Sequence, residues 1–300
     1  MKHGAVIASM GVFLIYWINM KFHLVSIEPD HFDHAASWYE LAELVQYGLL
    51  RAGFECSTGI NHFIPNRTNI VFGVQHLSAE MEPLLPKDTR LFNTEQLPIL
   101  SKNFCHQRYM QIRYWAQKGF RFLDYSAENA PILSAWGATE VSVVPLGYVP
   151  ELDRLKKQPP KYDCLFYGGL NPRRHKLLHE IQELGVNLQF LNGVYGEDRD
   201  AFIEKSKIVL NLHLYDAEIF EIVRVNYLMH NNICVLTELN PSTKIATELT
   251  DLFVCCSRET LVSEVASVID QPKTIQQTAA NAYDWLRSRP QEMIMKSIFG

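Results

Sequence analysis

The amino-acid sequence predicts an α/β protein with two domains, each built on a parallel β-sheet with helices on both faces. Short apolar runs alternate with amphipathic helical segments from residue 20 onward, as in chains that form parallel sheets. Polar residues follow the apolar runs, and a charged segment with two adjacent prolines interrupts the alternation near the middle. We therefore predict a first domain at residues 20–150, a linker at 151–161 and a second domain at 162–300.

The composition is that of an ordinary globular protein. Of the 300 residues, 47% are hydrophobic and 20% are charged, so each domain can bury a core. A net charge of -5 and the absence of any Lys/Arg run argue against a nucleic-acid partner. None of the six cysteines forms a Cys-x-x-Cys pair, which favours a reducing compartment. We expect a cytoplasmic protein, with the inner face of the membrane as the alternative.

Residues 1–19 precede the predicted sheets. Most of this segment is apolar, with Lys2 as a weak positive flank. It is shorter than the roughly 20 residues of a spanning helix, and no A-x-A cleavage pattern follows it. Two interpretations remain open: an extension upstream of the folded protein, or a segment that associates peripherally with a membrane.

The first domain opens with a strand, a polar loop and a helix. The strand is predicted at 22–27, the loop at 28–34 and the amphipathic helix at 37–52, with Gly53 beyond its end. The same alternation then continues, with strands predicted at 54–57, 69–74, 89–93, 120–123 and 141–144 and helices at 103–118 and 129–136.

Histidines follow two of these strands. His34 lies in the first polar loop, and His76 follows the strand at 69–74. Either of them, or His31 in the same loop, could act as a general base that activates a hydroxyl group. His31 and His34 also resemble a loose metal pair, but no cysteine or third ligand lies close by, so we expect no metal site.

The second domain repeats the pattern. Its strands are predicted at 163–166, 186–191, 208–214, 233–236 and 253–254, and its helices at 175–184, 199–206, 219–229, 242–249, 258–269 and 274–288. Residues 208–236 form one βαβ unit. Polar residues of this unit lie at the loop, on the first helical turns or at a strand's carboxyl end, where ligands bind in open α/β sheets. They are Asp216, Glu218, Glu221, Arg224, Asn226 and Glu238.

A glycine pair followed by two arginines comes after the first strand of this domain. Gly168 and Gly169 would let backbone amides approach an anion, and the next helix would add its positive end. Arg173 and Arg174 suit a diphosphate. The motif is neither Walker A nor GxGxxG, and a tight turn with solvated basic residues is the alternative.

Arg224 is the most informative charged residue of the βαβ unit. It could pair with Glu221 three residues earlier, an interaction that contributes about 0–1 kcal/mol when exposed. However, Arg224 lies between two valines on a mostly apolar helix. A partly buried arginine needs partners, and an anionic ligand would supply them. His213 alternates within a strand, so we expect a hydrogen-bonded core histidine there.

The stretch from Glu218 to Asn231 resembles the donor-site motif of retaining GT-B glycosyltransferases. That motif has two acidic residues eight positions apart, followed by a helix end and a strand. Glu218 matches the first acid, Asn226 stands where the second is usually Glu, and Asn231 stands where glycine usually ends the helix. Because the family's second Glu grips the donor ribose, the departure at Asn226 leaves the stereochemistry of transfer open.

A wider resemblance covers both domains. NTEQ at 93–96, DYSAEN at 124–129, VPLGY at 144–148 and the block at 208–238 are similar to a spore-maturation-type branch of bacterial and viral glycosyltransferases. The resemblance implies two Rossmann-like domains facing across a central cleft, with the nucleotide sugar on the second domain and the acceptor on the first. It implies that basic residues and helix ends, rather than a metal ion, neutralise the leaving diphosphate. It also implies a final helix that returns to the first domain.

The sequence therefore predicts a glycosyltransferase, of the hexosyl or a related type, that moves a sugar from a nucleotide sugar to a hydroxyl acceptor in cell-surface glycan or polysaccharide assembly. A phosphosugar epimerase or related nucleotide-sugar enzyme and a non-catalytic two-domain sensor are the alternatives. No cofactor or metal is expected. The candidate catalytic residues are His34, His76 and Glu218, and the candidate donor-binding residues are Gly168, Gly169, Arg173, Arg174, Glu218, Glu221, Arg224 and Asn226.

Overall fold

The computed structural model describes residues 20–30, 32–97, 106–214 and 219–300, and these residues divide into two compact α/β units. The first unit contains the described residues up to Glu95, those from 106 to Pro145, and Pro290–Gly300. The second unit contains Leu146–Arg289 together with Gln96 and Leu97. Each unit has one parallel sheet, which confirms the predicted α/β class.

In the described part of the first unit, six parallel strands pair in the order β2-β1-β3-β4-β5-β6. All five residues of β3 are buried, as expected for a central strand with helices on both faces. The elements are β1 (Lys21–Ser26), α1 (Tyr39–Arg51), β2 (Glu55–Ile60), β3 (Thr68–Phe72), β4 (Arg90–Asn93), α2 (His106–Gln117), β5 (Arg121–Asp124), α3 (Ala130–Trp136) and β6 (Glu140–Val143), with 3-10 turns at Asp33–Trp38, Val74–His76 and Ala79–Leu84.

In the described part of the second unit, five parallel strands pair in the order β11-β10-β9-β7-β8. The polar residues that follow β7, β9, β10 and β11 therefore lie at one edge of one sheet. The elements are β7 (Tyr162–Tyr167), α4 (Pro172–Glu183), β8 (Leu188–Leu191), α5 (Gly196–Ile203), β9 (Ser206–Asn211), α6 (Ile222–His230), β10 (Val235–Glu238), β11 (Val254–Cys256), α7 (Leu261–Val268) and α8 (Pro272–Arg287), with 3-10 turns at Pro150–Leu152 and Thr247–Leu252.

The last helix, α9 (Gln291–Phe299), belongs to the first unit and is an element that the sequence did not predict. It packs against α1 where Gly48 has no side chain: a Cβ at this position would lie 2.6 Å from Cγ of Gln291. Phe299 meets the ring of Phe22 edge-on at 4.9 Å. The chain therefore does end on a helix of the first unit, but the long helix predicted at 274–288 is not that helix.

Residues 151–161, predicted as a linker, belong to the second unit. The side-chain amide of Asn231 holds this segment in place. Its Oδ1 accepts hydrogen bonds from the backbone of Arg154 and Leu155 at 2.9 and 2.8 Å, and its Nδ2 donates to the carbonyl of Leu152 at 2.9 Å. The division between the units instead falls between Pro145 and Leu146.

Several helical predictions of the second unit differ from the structure by about three residues or more, and two of them have a clear local cause. Helix α4 begins at Pro172 rather than at 175, because the side chain of Asn171 caps it and proline is favoured in the first helical turn. The segment predicted as helix at 242–249 forms a turn followed by the 3-10 turn at Thr247–Leu252. The backbone N–H of Asn240 bonds to the Thr243 hydroxyl there, a local bond that competes with helix formation.

Candidate functional site

The loop after β7 is shaped by Gly168 and Arg224. Gly168 has a φ of 132°, which favours glycine, and its N–H donates to the carbonyl of Leu191 at 3.0 Å. A Cβ at residue 168 would lie 2.9 Å from Nη2 of Arg224. The glycine thus lets the guanidinium of Arg224 lie directly against the loop, whereas a Cβ at Gly169 would meet no atom within 4 Å.

The same loop leads into the amino terminus of α4. Oδ1 of Asn171 accepts from the N–H of Arg174 at 2.8 Å, and its Nδ2 donates to the carbonyl of Leu214 at 3.1 Å. The N–H groups of Gly169 and Leu170 make no hydrogen bond to another residue that the structure describes. These donors and the helix end form the kind of surface that binds anions.

Arg174 supports this loop from inside. Only 1% of the residue is exposed, and its guanidinium donates to the carbonyls of Gly169 at 2.7 Å, of His213 at 3.3 Å and of Leu212. Burial and the positive charge of Arg224 lower the pKa of Arg174 to about 9. Because these donors are spent on backbone carbonyls, Arg174 holds the loop rather than gripping a diphosphate directly, which corrects its predicted role.

Arg173 is held by the buried carboxylate of Glu238 at the end of β10. Its Nη1 lies 3.0 and 2.8 Å from the two carboxylate oxygens, and its Nη2 donates to the carbonyl of His213. Arg258 and Asn240 also donate to Glu238, at 3.2 and 3.1 Å. Although burial alone raises the pKa of Glu238, the charge of Arg173 and these hydrogen bonds bring it below the ordinary value.

Arg258 is a member of this cluster that the sequence did not reveal. It follows β11, and β11 pairs with β10 in parallel register, with Cys256 opposite Glu238. The pairing brings two positions twenty residues apart in the chain into contact. In the sequence, the only sign of Arg258 as a site residue is its place shortly after a predicted strand.

Arg224 differs from the other arginines of the site. Its Nη1 donates to Oδ1 of Asn211 at 3.2 Å, and this is its only hydrogen bond to another described residue; no described carboxylate lies within ion-pair distance. Its guanidinium carbon stands 5.3 Å from the ring centre of Tyr167. The ring holds the guanidinium in place while most of its donors stay available for a ligand.

Glu221 and His213 lie next to Arg224. The carboxylate of Glu221 accepts from Nδ2 of Asn211 at 3.0 Å and lies 3.2 Å from Nδ1 of His213. Burial alone raises the pKa of Glu221, but the hydrogen bond and charge of His213 and the charge of Arg224 bring it below the ordinary value. His213 is 1% exposed, in agreement with the predicted core histidine, yet it lies within the charged cluster.

The side chain of Asn226 makes its hydrogen bonds outside this charged cluster. It is 3% exposed, and its Nδ2 donates to the carbonyls of Leu146 and Gly147 at 3.3 and 3.1 Å. The predicted contact with a donor ribose is therefore corrected to a structural role. The amide fixes the backbone where the chain enters the second unit.

The remaining predicted residues fall elsewhere. Glu218 and Asp216 lie outside the described residues, as does His31. In the first unit, Phe32 brings the two candidate catalytic histidines together, since its ring centre lies 5.7 Å from that of His34 and 4.3 Å from that of His76. Burial and the nearby charge of Arg108 lower the pKa of His76 to about 4.

Taken over the described residues, the site of the second unit is cationic, because its arginines outnumber its carboxylates. Within the part of the chain that is described, no three His, Cys, Asp or Glu side chains come together in a way that could hold a metal ion. The charged set consists of Arg173, Arg174, Arg224, Arg258, Glu221 and Glu238.

No protein-family model matches the sequence. The chain is similar to several uncharacterized proteins of Acanthamoeba polyphaga mimivirus. One is 31% identical over 149 residues, which cover 46% of this chain and 19% of the relative. Another is 28% identical over 194 residues, which cover 61% of this chain and 57% of that relative. The chain thus spans less than two thirds of the length of these relatives.

Solved structures with the same architecture cover nearly the whole chain. They include Anabaena HepE in complex with UDP and glucose, with a TM-score of 0.59, 12% identity and coverage of 93% of this chain and 98% of that one. AviGT4, a glycosyltransferase involved in avilamycin A biosynthesis, matches with a TM-score of 0.55, 12% identity and coverage of 93% and 96%. WaaG, a glycosyltransferase involved in lipopolysaccharide biosynthesis, matches with a TM-score of 0.54, 11% identity and coverage of 93% and 100%. With its two parallel-sheet units, the chain has the GT-B fold of these solved structures.

Proposed function

We propose that the protein is a glycosyltransferase of the hexosyl or a related type, which moves a sugar from a nucleotide sugar to a hydroxyl acceptor. The observation that carries this proposal is Arg224. A partly buried guanidinium costs free energy unless its donors are satisfied, and here one hydrogen bond to Asn211 is its only hydrogen bond to a described residue. An anionic ligand seated against the Gly168 loop would supply the missing partners.

The chemistry of the loop favours a diphosphate as that anion. The N–H groups of Gly169 and Leu170, the positive end of α4 and the guanidinium of Arg224 are three kinds of donor at one place. A nucleotide sugar carries two negative charges on its diphosphate, and the described site has more cations than carboxylates. Arg174 and Glu238 would act indirectly, by holding the loop and Arg173 in position.

In this proposal the cations stabilise the leaving nucleoside diphosphate as the bond to the sugar breaks. Electrostatic stabilisation of that kind needs donors that are already in position, because reorganising them would cost free energy during the reaction. The stacking of Arg224 on Tyr167 and the buried contacts of Arg174 supply this preorganisation. The transfer would then proceed without a bound metal ion.

We assign the acceptor to the first unit, with His34 and His76 as candidate bases. Both rings border Phe32 beyond the carboxyl ends of β1 and β3, the edge at which ligands bind in open α/β sheets. A neutral imidazole can accept the proton of an acceptor hydroxyl. A glycan in cell-surface polysaccharide assembly is the acceptor class we propose, which would suit work at the inner face of a membrane. None of the described helices has the length and apolar character needed to span a bilayer.

Thermal melting against nucleoside monophosphates, nucleoside diphosphates and nucleotide sugars tests the proposal. A ligand at about 100 times its dissociation constant should stabilise the protein by roughly 2.7 kcal/mol. We expect one base series to raise the melting temperature, and Arg224→Ala to reduce the shift by about half or more. Arg287→Ala, at an exposed position of α8, is the matched control and should keep it. No shift with any nucleotide would contradict the proposal.

A further inference from the structure

Three hydrogen-bonded side chains, Glu221, His213 and Thr243, form a chain beside the arginines of the site. Nδ1 of His213 lies 3.2 Å from the carboxylate of Glu221, and its Nε2 lies 3.0 Å from the hydroxyl oxygen of Thr243. A buried imidazole between a carboxylate and a hydroxyl fixes the orientation of that hydroxyl. The arrangement resembles the way enzymes position a working hydroxyl group.

Thr243 is the accessible end of this chain. It lies in the turn after β10, is partly exposed, and its Oγ1 accepts from the N–H of Asn240 at 2.9 Å. A hydroxyl has one donor and two acceptor positions. Asn240 and His213 are the partners of Oγ1 among the described residues, so one position remains for a ligand.

The protonation state of His213 decides whether the Thr243 hydroxyl offers a ligand its hydrogen or a lone pair. Glu221 is ionised and can only accept, so Nδ1 of His213 carries a hydrogen in either state. If the imidazole is neutral, Nε2 accepts the Thr243 hydrogen and a lone pair faces the ligand. If it is charged, Nε2 donates and the hydroxyl hydrogen faces the ligand. A sugar hydroxyl both donates and accepts, so it suits either state, whereas a phosphate oxygen suits only the second.

The location also fits a sugar. The backbone carbonyl of His213 accepts from Arg173 and Arg174, and its ring contacts the Thr243 hydroxyl, so one residue connects that hydroxyl to the arginines. In a nucleotide sugar the sugar is bonded directly to the second phosphate. A hydroxyl that one residue connects to the arginines of the diphosphate-binding site is therefore placed to meet the sugar ring.

We infer that Thr243 binds a hydroxyl group of the donor sugar and that His213, oriented by Glu221, is its positioning residue. The inference rests on the proposed function, because it concerns the sugar half of the same ligand. Thr243 contributes nothing to the nucleoside diphosphate half. It therefore sets the preference for the nucleotide sugar over the free nucleoside diphosphate.

Calorimetric titration of the full chain with paired ligands separates the two claims. The probes are UDP with UDP-glucose, UDP-galactose and UDP-N-acetylglucosamine, GDP with GDP-mannose, and dTDP with dTDP-glucose. Thr243→Val should weaken binding of the preferred nucleotide sugar by about fivefold, the effect of one hydrogen bond, and leave binding of its diphosphate unchanged. Thr243→Ser keeps the hydroxyl and should retain the preference.

His213→Asn tests the positioning role, since its shorter amide can still reach toward Glu221 but not toward Thr243. We expect the same selective loss of nucleotide-sugar affinity, a pattern that mere loss of stability would not produce. If the diphosphate binds and Thr243→Val keeps full nucleotide-sugar affinity, the inference is overturned while the proposed function stands. If no diphosphate or nucleotide sugar binds the wild-type protein, both are overturned.

Discussion

The guanidinium of Arg224 lies so close to Gly168 that any side chain at residue 168 would displace it, since a Cβ there would stand 2.9 Å from Nη2. Gly169, its neighbour, has open space around it. This difference between adjacent glycines means that the site requires the absence of a side chain at residue 168 but not at residue 169.

Replacement of the two glycines by alanine should therefore have unequal effects. Gly168→Ala places a Cβ at a φ of 132° and against Arg224, so we expect nucleotide affinity to fall at least tenfold and stability to fall by about 1–2 kcal/mol. Gly169→Ala is the matched control and should change both by little. Equal nucleotide affinities of the two variants in calorimetry would argue against the assigned loop geometry.

The ring of Tyr167 lies close to two arginines. The guanidinium carbons of Arg224 and Arg199 lie 5.3 and 5.4 Å from its ring centre. Tyr167→Leu removes the ring and should weaken nucleotide binding by about three- to tenfold, because Arg224 loses the surface that orients it. Tyr167→Phe keeps the ring and should bind nearly as the wild type does. Similar losses in both variants would show that the phenolic oxygen, rather than the ring, matters.

The contribution of Glu238 to the stability of the protein should depend on pH. Its pKa is lowered in the folded protein, so its contribution is complete above the ordinary carboxyl pKa and is lost as the pH falls through the lower folded value. Glu238→Gln leaves Arg173 and Arg258 without their shared carboxylate and should cost about 3 kcal/mol at pH 7. The cost should shrink as the pH falls below the ordinary carboxyl pKa, because the unfolded chain then takes up a proton that the folded protein does not, and it should vanish below the lowered folded pKa.

Urea unfolding of both proteins from pH 3 to pH 7 measures this difference. Glu183→Gln, at a side chain that is 64% exposed on α4, is the control and should match the wild type. A stability difference between Glu238→Gln and the wild type that does not vary with pH would rule out the ionised carboxylate as its cause.

His76 makes the opposite kind of pH prediction within the first unit. Its pKa falls from 6.5 to about 4 on folding, so the unfolded chain binds a proton between these values and the folded protein does not. The free energy of unfolding should therefore fall by about 2 kcal/mol as the pH falls from 6.5 to 4. This loss is smaller than the full pKa shift would give, because solvent screens the partly exposed ring. His76→Phe suits the aromatic surroundings of Phe32 and Trp38 and should flatten that slope. His34→Gln, at an exposed histidine nearby, is the control. If the dependence of stability on pH is the same in His76→Phe as in the wild type, His76 is not its cause.

The fold was predictable from the sequence because buried parallel strands consist of short runs of apolar residues, which a single sequence shows. β7, β9 and β10 were all found at their expected places, with ends shifted by up to three residues. Helix α9 was missed because only ten residues follow Pro290, which separates them from the helix predicted at 274–288. Its place depends on the gap left by Gly48 on another helix, which no local pattern records.

The site was predictable only in part, for a related reason. Glu221 and Arg224 could be selected as candidates because charged residues on an apolar helix stand out, and the glycine loop because it follows a strand. The roles of Arg174 and Asn226 could not, since the sequence does not show that backbone carbonyls take up their donors. The contributions of Arg258 and Thr243 depend on how the ends of β10 and β11 lie beside β9.

Binding of a nucleotide diphosphate by Arg224 underlies the proposed function, and calorimetry measures it without any assumption about the acceptor. We would titrate the wild type, Arg224→Ala and Arg287→Ala with the nucleoside diphosphate and the monophosphate of the same base. We expect the wild type and Arg287→Ala to prefer the diphosphate, and Arg224→Ala to lose about 10- to 100-fold in diphosphate affinity, the effect of charge-assisted hydrogen bonds. If Arg224→Ala instead binds the diphosphate as tightly as the wild type does, Arg224 is not the diphosphate-binding residue and the proposed donor site is wrong.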